Sequence, residues 1–213
     1  MDQITKDCVA FIGAQFKTLG LKPNNTKRKW TDDLGYAMST FHIRIPSCGI
    51  GLFIDHGVTF FLSPKTGLYY EYQSDWCGRL YLKDDPYARI TANSPEWLLS
   101  NPNAGIRLHA EIERTVKHYR ELKDYSVAHK FLTVATEDER RKVFHPALEH
   151  DCAMVALMLG KSEEALPKLQ KYAHLPYYEA LLKLTTDEER YAYVEKAILE
   201  NRITFKKHLP DSP

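Results

Sequence analysis

The sequence lacks several features that define whole classes of protein. No stretch approaches the ~18 consecutive apolar residues that a membrane-spanning helix needs, and residues 1–7 lack the basic start and apolar core of a secretory signal. Cysteines are few and contain no CxxC pair; they are Cys8, Cys48, Cys77 and Cys152. These absences predict a cytoplasmic protein with reduced thiols and with neither a disulfide framework nor a zinc ribbon.

An excess of charge is also missing. The 29 Lys and Arg residues nearly cancel the 28 Asp and Glu residues, which leaves a formal net charge of +1 at pH 7. Because nucleic-acid binding requires a net basic face, a nucleic-acid partner is not expected. The one basic run, Lys27-Arg28-Lys29, is short and is interpreted as a solvated loop.

No catalytic or metal-binding motif is present. His150 and Cys152 would point about 200° apart on a helix, and His145 precedes the proline that should start that helix. No metal ion and no cofactor is therefore predicted. An enzyme that uses Cys48 with His56, or the pair His145 and His150, stays open as an alternative, because spatial approach is not visible in a sequence.

The first positive feature is an amphipathic helix over about residues 3–19. Apolar residues recur there at steps of three and four positions, at Ile4, Cys8, Phe11, Ile12, Phe16 and Leu19. Gly20 supplies the expected C-terminal stop. With 44% hydrophobic and 12% aromatic residues, the chain can bury a sizeable core.

Short segments rich in aromatic and β-branched residues follow the helix. They predict five strands, at residues 36–45, 51–55, 58–63, 68–72 and 79–82. Asp55-His56-Gly57 and residues 64–67 offer the turn residues of hairpins. The spacing is too short for parallel crossovers, so the sequence predicts an antiparallel meander.

Beyond residue 95 the pattern becomes helical. Ser94, followed by Pro and Glu, marks a helix start, and Thr136 with Glu139 and Thr186 with Glu189 form the pattern of capping boxes. The predicted helices cover residues 105–123, 125–134, 137–144, 147–159, 163–174, 177–184 and 187–200.

Two observations liken the C-terminal part to helical hairpins. Gly160 is expected to end one helix and Ser162 to cap the next, as in the inter-helix turn of tetratricopeptide-type repeats, with Pro167 delaying or kinking that second helix. Residues 132–147 also resemble residues 182–197 at an offset of 50, which either a duplication or common capping chemistry explains. We therefore predict an α+β domain over residues 1–130 and a helical-hairpin region over residues 131–213, packed together as one unit.

The predicted strands carry aromatic residues on both faces. In residues 68–72, alternation sends Tyr70 and Tyr72 to one face and Tyr69 to the other. One interpretation is that helices cover both faces of the sheet. The other is a partly exposed aromatic patch that binds a protein and consists of Tyr69, Tyr70, Tyr72 and Trp76.

The first 130 residues resemble a bacterial family of domains of unknown function. The resemblance lies in the helix that ends Leu19-Gly20-Leu21-Lys22, the polar turn, Trp30 and the meander; family members have Leu-Gly-Phe-Lys at the same place. Several members look like immunity proteins of polymorphic or contact-dependent toxin systems. The resemblance implies a non-catalytic protein that neutralises a cognate toxin by occlusion. A small enzyme and a general interaction module or dimer built on the helical tail remain the alternatives.

Overall fold

The computed structural model describes residues 2–45, 52–65, 76–80, 95–137 and 148–209. Helix α1 spans Gln3–Thr18, and Asp2 caps it by accepting a hydrogen bond of 2.7 Å from the Thr5 amide. Its buried face carries Cys8, Ile12 and Phe16. Gly20 follows with a φ of +80°, which glycine adopts without strain. The predicted first helix and its stop are confirmed.

The sheet is a five-stranded antiparallel meander in which the strands lie in chain order. Each strand pairs with the next one along the chain. The strands are β1 (Lys22–Pro23), β2 (Lys29–Asp33), β3 (Ala37–Arg44), β4 (Phe53–Phe60) and β5 (Trp76–Arg79). Together with the helices on either side, they confirm the predicted α+β class.

The turn predicted at Asp55-His56-Gly57 is wrong. These residues lie inside the continuous strand β4, where they pair with His42, Phe41 and Thr40 of β3. Residues that favour turns were outweighed here by hydrogen bonds to the neighbouring strands on both sides. The predicted strands 51–55 and 58–63 are therefore one strand.

The remaining strand predictions have separate outcomes. Strand β2 was not predicted, because its polar residues show no apolar alternation. Pro64 and Lys65 follow β4 as a loop, but the rest of the predicted turn and the predicted strand 68–72 lie outside the described residues. Of the predicted strand 79–82, Arg79 is the last residue of β5 and Leu80 follows the strand, whereas residues 81 and 82 lie outside the described residues.

The two faces of the sheet contact different helices. On the first face, Trp30 and Phe41 pack against Phe16 of α1 at ring-centroid distances of 5.7 and 5.2 Å. On the second face, Met38 and Phe61 form a smaller cluster with Phe205 and Leu209 from the C-terminal segment. For the described strands, coverage of both faces agrees with the first interpretation of the aromatic residues.

The rest of the described chain is helical. Helices α2 and α3 contact α1, and five further helices follow, with 3₁₀ turns at Gln170–Tyr172 and Lys206–His208. The seven are α2 (Pro95–Ser100), α3 (Pro102–Glu121), α4 (Tyr125–Glu137), α5 (Leu148–Met158), α6 (Ser162–Leu169), α7 (Pro176–Lys183) and α8 (Asp187–Thr204). Of the predicted helices, 137–144 lies outside the described residues except for its first position.

The two predicted capping boxes have different outcomes. Thr186 accepts a hydrogen bond of 3.2 Å from the Glu189 amide, and the Glu189 carboxylate accepts one of 3.0 Å from the Thr186 amide. Thr136 instead lies in the last turn of α4, where its hydroxyl donates to the Thr133 carbonyl at 2.8 Å. Its expected partner Glu139 lies outside the described residues.

The turn between α5 and α6 also differs in one detail from the prediction. Gly160 has a φ of +76° and ends α5 as expected. Ser162 is the first residue of α6 and not its cap, since its hydroxyl donates to the Asp187 carboxylate at 2.5 Å. Pro167 lies inside α6, and this helix begins at Ser162, so the proline does not delay its start.

Helices α7 and α8 hold the segment that leaves β4. The buried Asn201 side chain donates to the Phe61 and Ser63 carbonyls at 3.0 and 2.8 Å and accepts from the Lys65 amide at 3.0 Å. The Tyr177 hydroxyl donates to the Leu62 carbonyl at 3.0 Å. The main hydrophobic cluster accordingly includes buried residues from α1, the sheet and helices α2 to α8.

Candidate functional site

An open groove lies between α1 and the corner formed by α2 and α3. The corner is defined by Asn101, whose side chain caps α3 by accepting a hydrogen bond of 3.2 Å from the Ala104 amide. The groove has a volume of about 410 Å³. Its lining is mainly apolar, with Phe11, Leu98, Leu99, Pro102, Gly105 and Ile106, and three polar residues complete it, Gln15, Asn101 and His109.

A glycine sets the depth of this groove. A Cβ atom on Gly105 would lie 3.0 Å from the end of the Phe11 ring, so the ring holds its present position against α3 because position 105 has no side chain. The Phe11 ring and the backbone of α3 thus meet at Gly105, among the residues that line the groove.

The groove is flanked by aliphatic side chains that water can reach. Ile106 is 68% exposed and Leu99 is 40% exposed. Among the described residues, the lining contains no Asp, Glu, Lys or Arg, and the buried Nδ1 atom of His109 has no hydrogen-bond partner. Such a surface binds through apolar contact and shape, with the amides and the imidazole as its polar anchors.

Of the four aromatic residues that were predicted to bind a protein, Trp76 is the one within the described residues. Tyr69, Tyr70 and Tyr72 lie outside the described residues. Trp76 is the first residue of β5, where its backbone pairs with Val58. Their role stays a prediction.

The residues of the enzyme alternative are not seen together. His56 lies on β4, and its Nδ1 atom is 2.5 Å from the Tyr119 hydroxyl of α3. Cys48 and His145 lie outside the described residues. His56 is thus engaged with a helix packed on the first face of the sheet.

His150 belongs to a buried polar network between α5 and α7. Its Nδ1 atom is 2.9 Å from the Asp151 carboxylate, and its Nε2 atom is 2.5 Å from the Tyr178 hydroxyl. Burial raises the pKa of Tyr178 to about 12, so its phenol stays protonated at neutral pH. The network therefore connects α5 and α7 by hydrogen bonds.

Cys152 is likewise buried. Its sulfur lies 3.6 Å from the Thr133 hydroxyl, and burial raises the pKa of the thiol, which is therefore protonated at neutral pH. In the part of the chain that the structure describes, no group of three or more His, Cys, Asp or Glu side chains is placed to hold a metal ion. The absence of a bound metal stays a prediction.

Reasoning from sequence missed the groove. Phe11 was predicted as part of the apolar stripe of α1. Ile106 lies outside the buried stripe of α3, which includes Ala104, Leu108 and Ile112. An aliphatic residue outside the stripe was the one available signal. Single exposed aliphatic residues are common, however, and do not identify a site by themselves.

Comparison with protein-family models, with curated proteins and with solved structures finds no match to this chain. None of the described helices combines the length and the apolar character that crossing a bilayer would take.

Proposed function

We propose that this chain is a non-catalytic protein-binding protein, and that it acts as an immunity protein that neutralises a cognate bacterial toxin by occlusion. The observation that carries the proposal is the open apolar groove between α1 and the α2–α3 corner. A contiguous apolar surface that stays exposed in a folded domain is typical of a protein-interaction site.

The shape of the groove favours a protein partner over a small molecule. A small ligand is usually enclosed on 70–90% of its surface, whereas here the flanking Ile106 and Leu99 side chains point into solvent. A helix or loop of a partner with an apolar face can cover the groove and both flanks together. We therefore assign the groove to an apolar-faced segment of the toxin.

The resemblance of residues 1–130 to a family that contains immunity proteins supports the more specific part of the proposal. Occlusion requires no reaction by this chain, since its affinity comes from complementary surfaces. The buried, protonated Cys152 and Tyr178 side chains are consistent with such a role.

The test is co-expression with the product of the neighbouring gene. We expect a stable complex and rescue of growth, and we expect Ile106→Glu and Leu99→Glu each to weaken binding by about 2 kcal/mol or more, roughly thirtyfold. Matched controls are Ile203→Glu and Leu175→Glu, because these residues are 67% and 41% exposed and are not among the residues that line the groove. Calorimetry measures the affinity and circular dichroism the folding.

Two results would contradict the proposal. If the neighbouring gene product neither binds nor is neutralised, the immunity function is wrong. If Ile203→Glu or Leu175→Glu weakens the complex while the groove variants do not, a protein is bound, but at another surface.

A further inference from the structure

Helix α8 presents two large aliphatic side chains to solvent. Leu199 and Ile203 lie one turn apart and are 59% and 67% exposed. They project from the side opposite the buried one, whose residues are Val194, Ala197 and Asn201. Burial of the inner side therefore leaves this apolar pair uncovered.

The same side of α8 continues towards its N-terminus. At 100° per residue, Ala192 and Lys196 project within about 40° of the mean direction of Leu199 and Ile203, and both are exposed. The Lys196 ammonium lies 3.9 Å from the Glu200 carboxylate, so the alkyl stem of Lys196 can add to the apolar surface. We call Ala192, Lys196, Leu199 and Ile203 the outer face of α8.

The two ends of α8 carry opposite charge. The first turn contains Asp187, Glu188 and Glu189, whereas Lys206 and Lys207 are exposed in the 3₁₀ turn that directly follows the helix. A second copy of α8 that runs antiparallel would bring its basic end to the acidic end of the first. A parallel copy would bring like charges together.

An antiparallel register exists in which the outer face fits itself. With the two-fold axis level with the peptide bond between residues 197 and 198, Ala192 lies opposite Ile203 of the second copy. In the same register Lys196 lies opposite Leu199. The small side chain thus meets the large one, the lysine stem meets an aliphatic one, and the symmetry makes each contact twice.

This register also pairs the charges at the ends. Glu188, which is exposed, comes level with Lys207 of the second copy. The 3₁₀ turn that holds Lys207 has a fixed position at the end of α8, because Phe205 and Leu209 on either side of it are buried against the second face of the sheet. One arrangement therefore satisfies both the apolar and the charged positions.

We propose that two copies of this chain associate through the outer faces of their α8 helices in antiparallel orientation. The 18 residues of α8 span about 27 Å, and one pair of such helices buries less than the roughly 1,200–2,000 Å² of a stable interface, so the dimer is weak and depends on concentration. The inference does not rest on the proposed function, since no residue of the outer face lines the groove.

The first experiment is analytical ultracentrifugation of the purified full chain at protein concentrations up to about 1 mM. We expect Leu199→Glu and Ile203→Glu each to raise the Kd of the dimer at least tenfold, because each change places two carboxylates in the apolar centre of the interface. The control is Val134→Glu, at a 57% exposed position of α4, with an expected effect below threefold. Circular dichroism verifies that all variants are folded.

A charge exchange at low salt tests the antiparallel register. Glu188→Lys alone and Lys207→Glu alone each place like charges opposite each other at both ends, and we expect each to raise the Kd at least about threefold. The two changes combined restore opposite charges across the interface, so the Kd should return to within about twofold of the native value. A parallel pair would show no such recovery.

Three results would overturn the inference. The first is a chain that stays monomeric at about 1 mM, where a Kd of that size would place half of the chains in dimers. The second is a dimer that Val134→Glu weakens as much as the outer-face variants do, or that the outer-face variants leave intact. The third is a combined charge exchange as weak as the single changes. No toxin is present in these measurements, so failure of the immunity proposal is recognised separately.

Discussion

Two adjacent aspartates of β2 show that a shift of one position along a strand changes which helix a side chain contacts. Asp32 and Asp33 follow each other on β2, so their carboxylates leave opposite faces of the sheet. Asp32 contacts Arg120 of α3 on the first face, and Asp33 contacts Arg202 of α8 on the second. Each carboxylate connects the sheet to a different helix.

We predict that Arg202→Met destabilises the protein in a pH-dependent way. Burial would raise the pKa of Asp33, but hydrogen bonds from Arg202 and from the Gly35 amide outweigh it and hold this pKa below its usual value. The stabilisation is therefore present above the unfolded pKa of about 3.9 and is lost as pH falls through the folded one. Urea unfolding should show a loss of about 2 kcal/mol at pH 7 and a smaller loss near pH 3.

The control for this prediction is Arg114→Met. Arg114 lies 2.5 Å from Glu111, but its side chain is 59% exposed, so we expect a loss below about 1 kcal/mol. An equal loss for Arg202→Met at both pH values would show that packing of the Arg202 side chain, and not its charge, matters.

At the scale of elements, glycines determine how closely helices approach their neighbours. Gly13 lets α1 contact the Trp30 ring of β2, and a Cβ atom there would lie 2.9 Å from that ring. Gly105 likewise lets α3 contact the Phe11 ring, and a Cβ atom there would lie 3.0 Å from that ring. The two distances are similar, but the two rings differ in their freedom to move.

We predict opposite effects for Gly13→Ala and Gly105→Ala. Alanine favours a helix over glycine by about 1 kcal/mol, but Trp30 is buried and its indole nitrogen donates to the Lys27 carbonyl at 3.0 Å, so it cannot yield. Gly13→Ala should therefore destabilise by about 1–2 kcal/mol. Phe11 borders the open groove and can turn, so Gly105→Ala should be neutral or stabilising.

Urea unfolding measures both variants. Adding Trp30→Phe to Gly13→Ala should cost less than Trp30→Phe costs in the native protein, because the smaller ring removes the clash. A stabilising Gly13→Ala would mean that α1 can shift on the sheet.

At the scale of the whole molecule, the sheet and the helical region share one hydrophobic cluster. Asn201 strengthens the connection, since it is 4% exposed and hydrogen-bonds three backbone groups after β4. Helices α7 and α8 thus bind the segment that follows β4, an interior strand of the described sheet. The two predicted parts should therefore behave as one unit.

We predict a single unfolding transition. All three tryptophans precede residue 100, so their fluorescence reports on the first part, whereas far-ultraviolet circular dichroism reports mainly on the helices that follow. The two midpoints should coincide. Asn201→Ala should lower the stability seen by both probes equally, by about 2–3 kcal/mol, because buried carbonyls and an amide lose their partner.

Asn103→Ala is the control, at an exposed position of α3, and should change stability by less than about 0.5 kcal/mol. Two separated midpoints, or an effect of Asn201→Ala on the circular dichroism alone, would divide the chain into two independent domains.

Reasoning from residues was most successful where the interactions are local. The stripe of α1, the stop at Gly20 and the capping box of Thr186 all depend on residues within a few positions, and all are confirmed. The candidate groove could not be predicted from the sequence, because Phe11 and Ile106 are 95 positions apart and both line it only when α3 packs on α1.

The sequence by itself determined the α+β class, the antiparallel order of the strands and most helix positions, since turn length and apolar periodicity act over short distances. The tertiary structure alone decided that Asp55-His56-Gly57 continues a strand, because Phe41 and Arg44 of β3 and Tyr119 of α3 are its partners. It also decided that Phe205 and Leu209 of the C-terminal segment pack on Met38 and Phe61 at the second face of the sheet. Both outcomes depend on burial and pairing between distant segments, which no local pattern encodes.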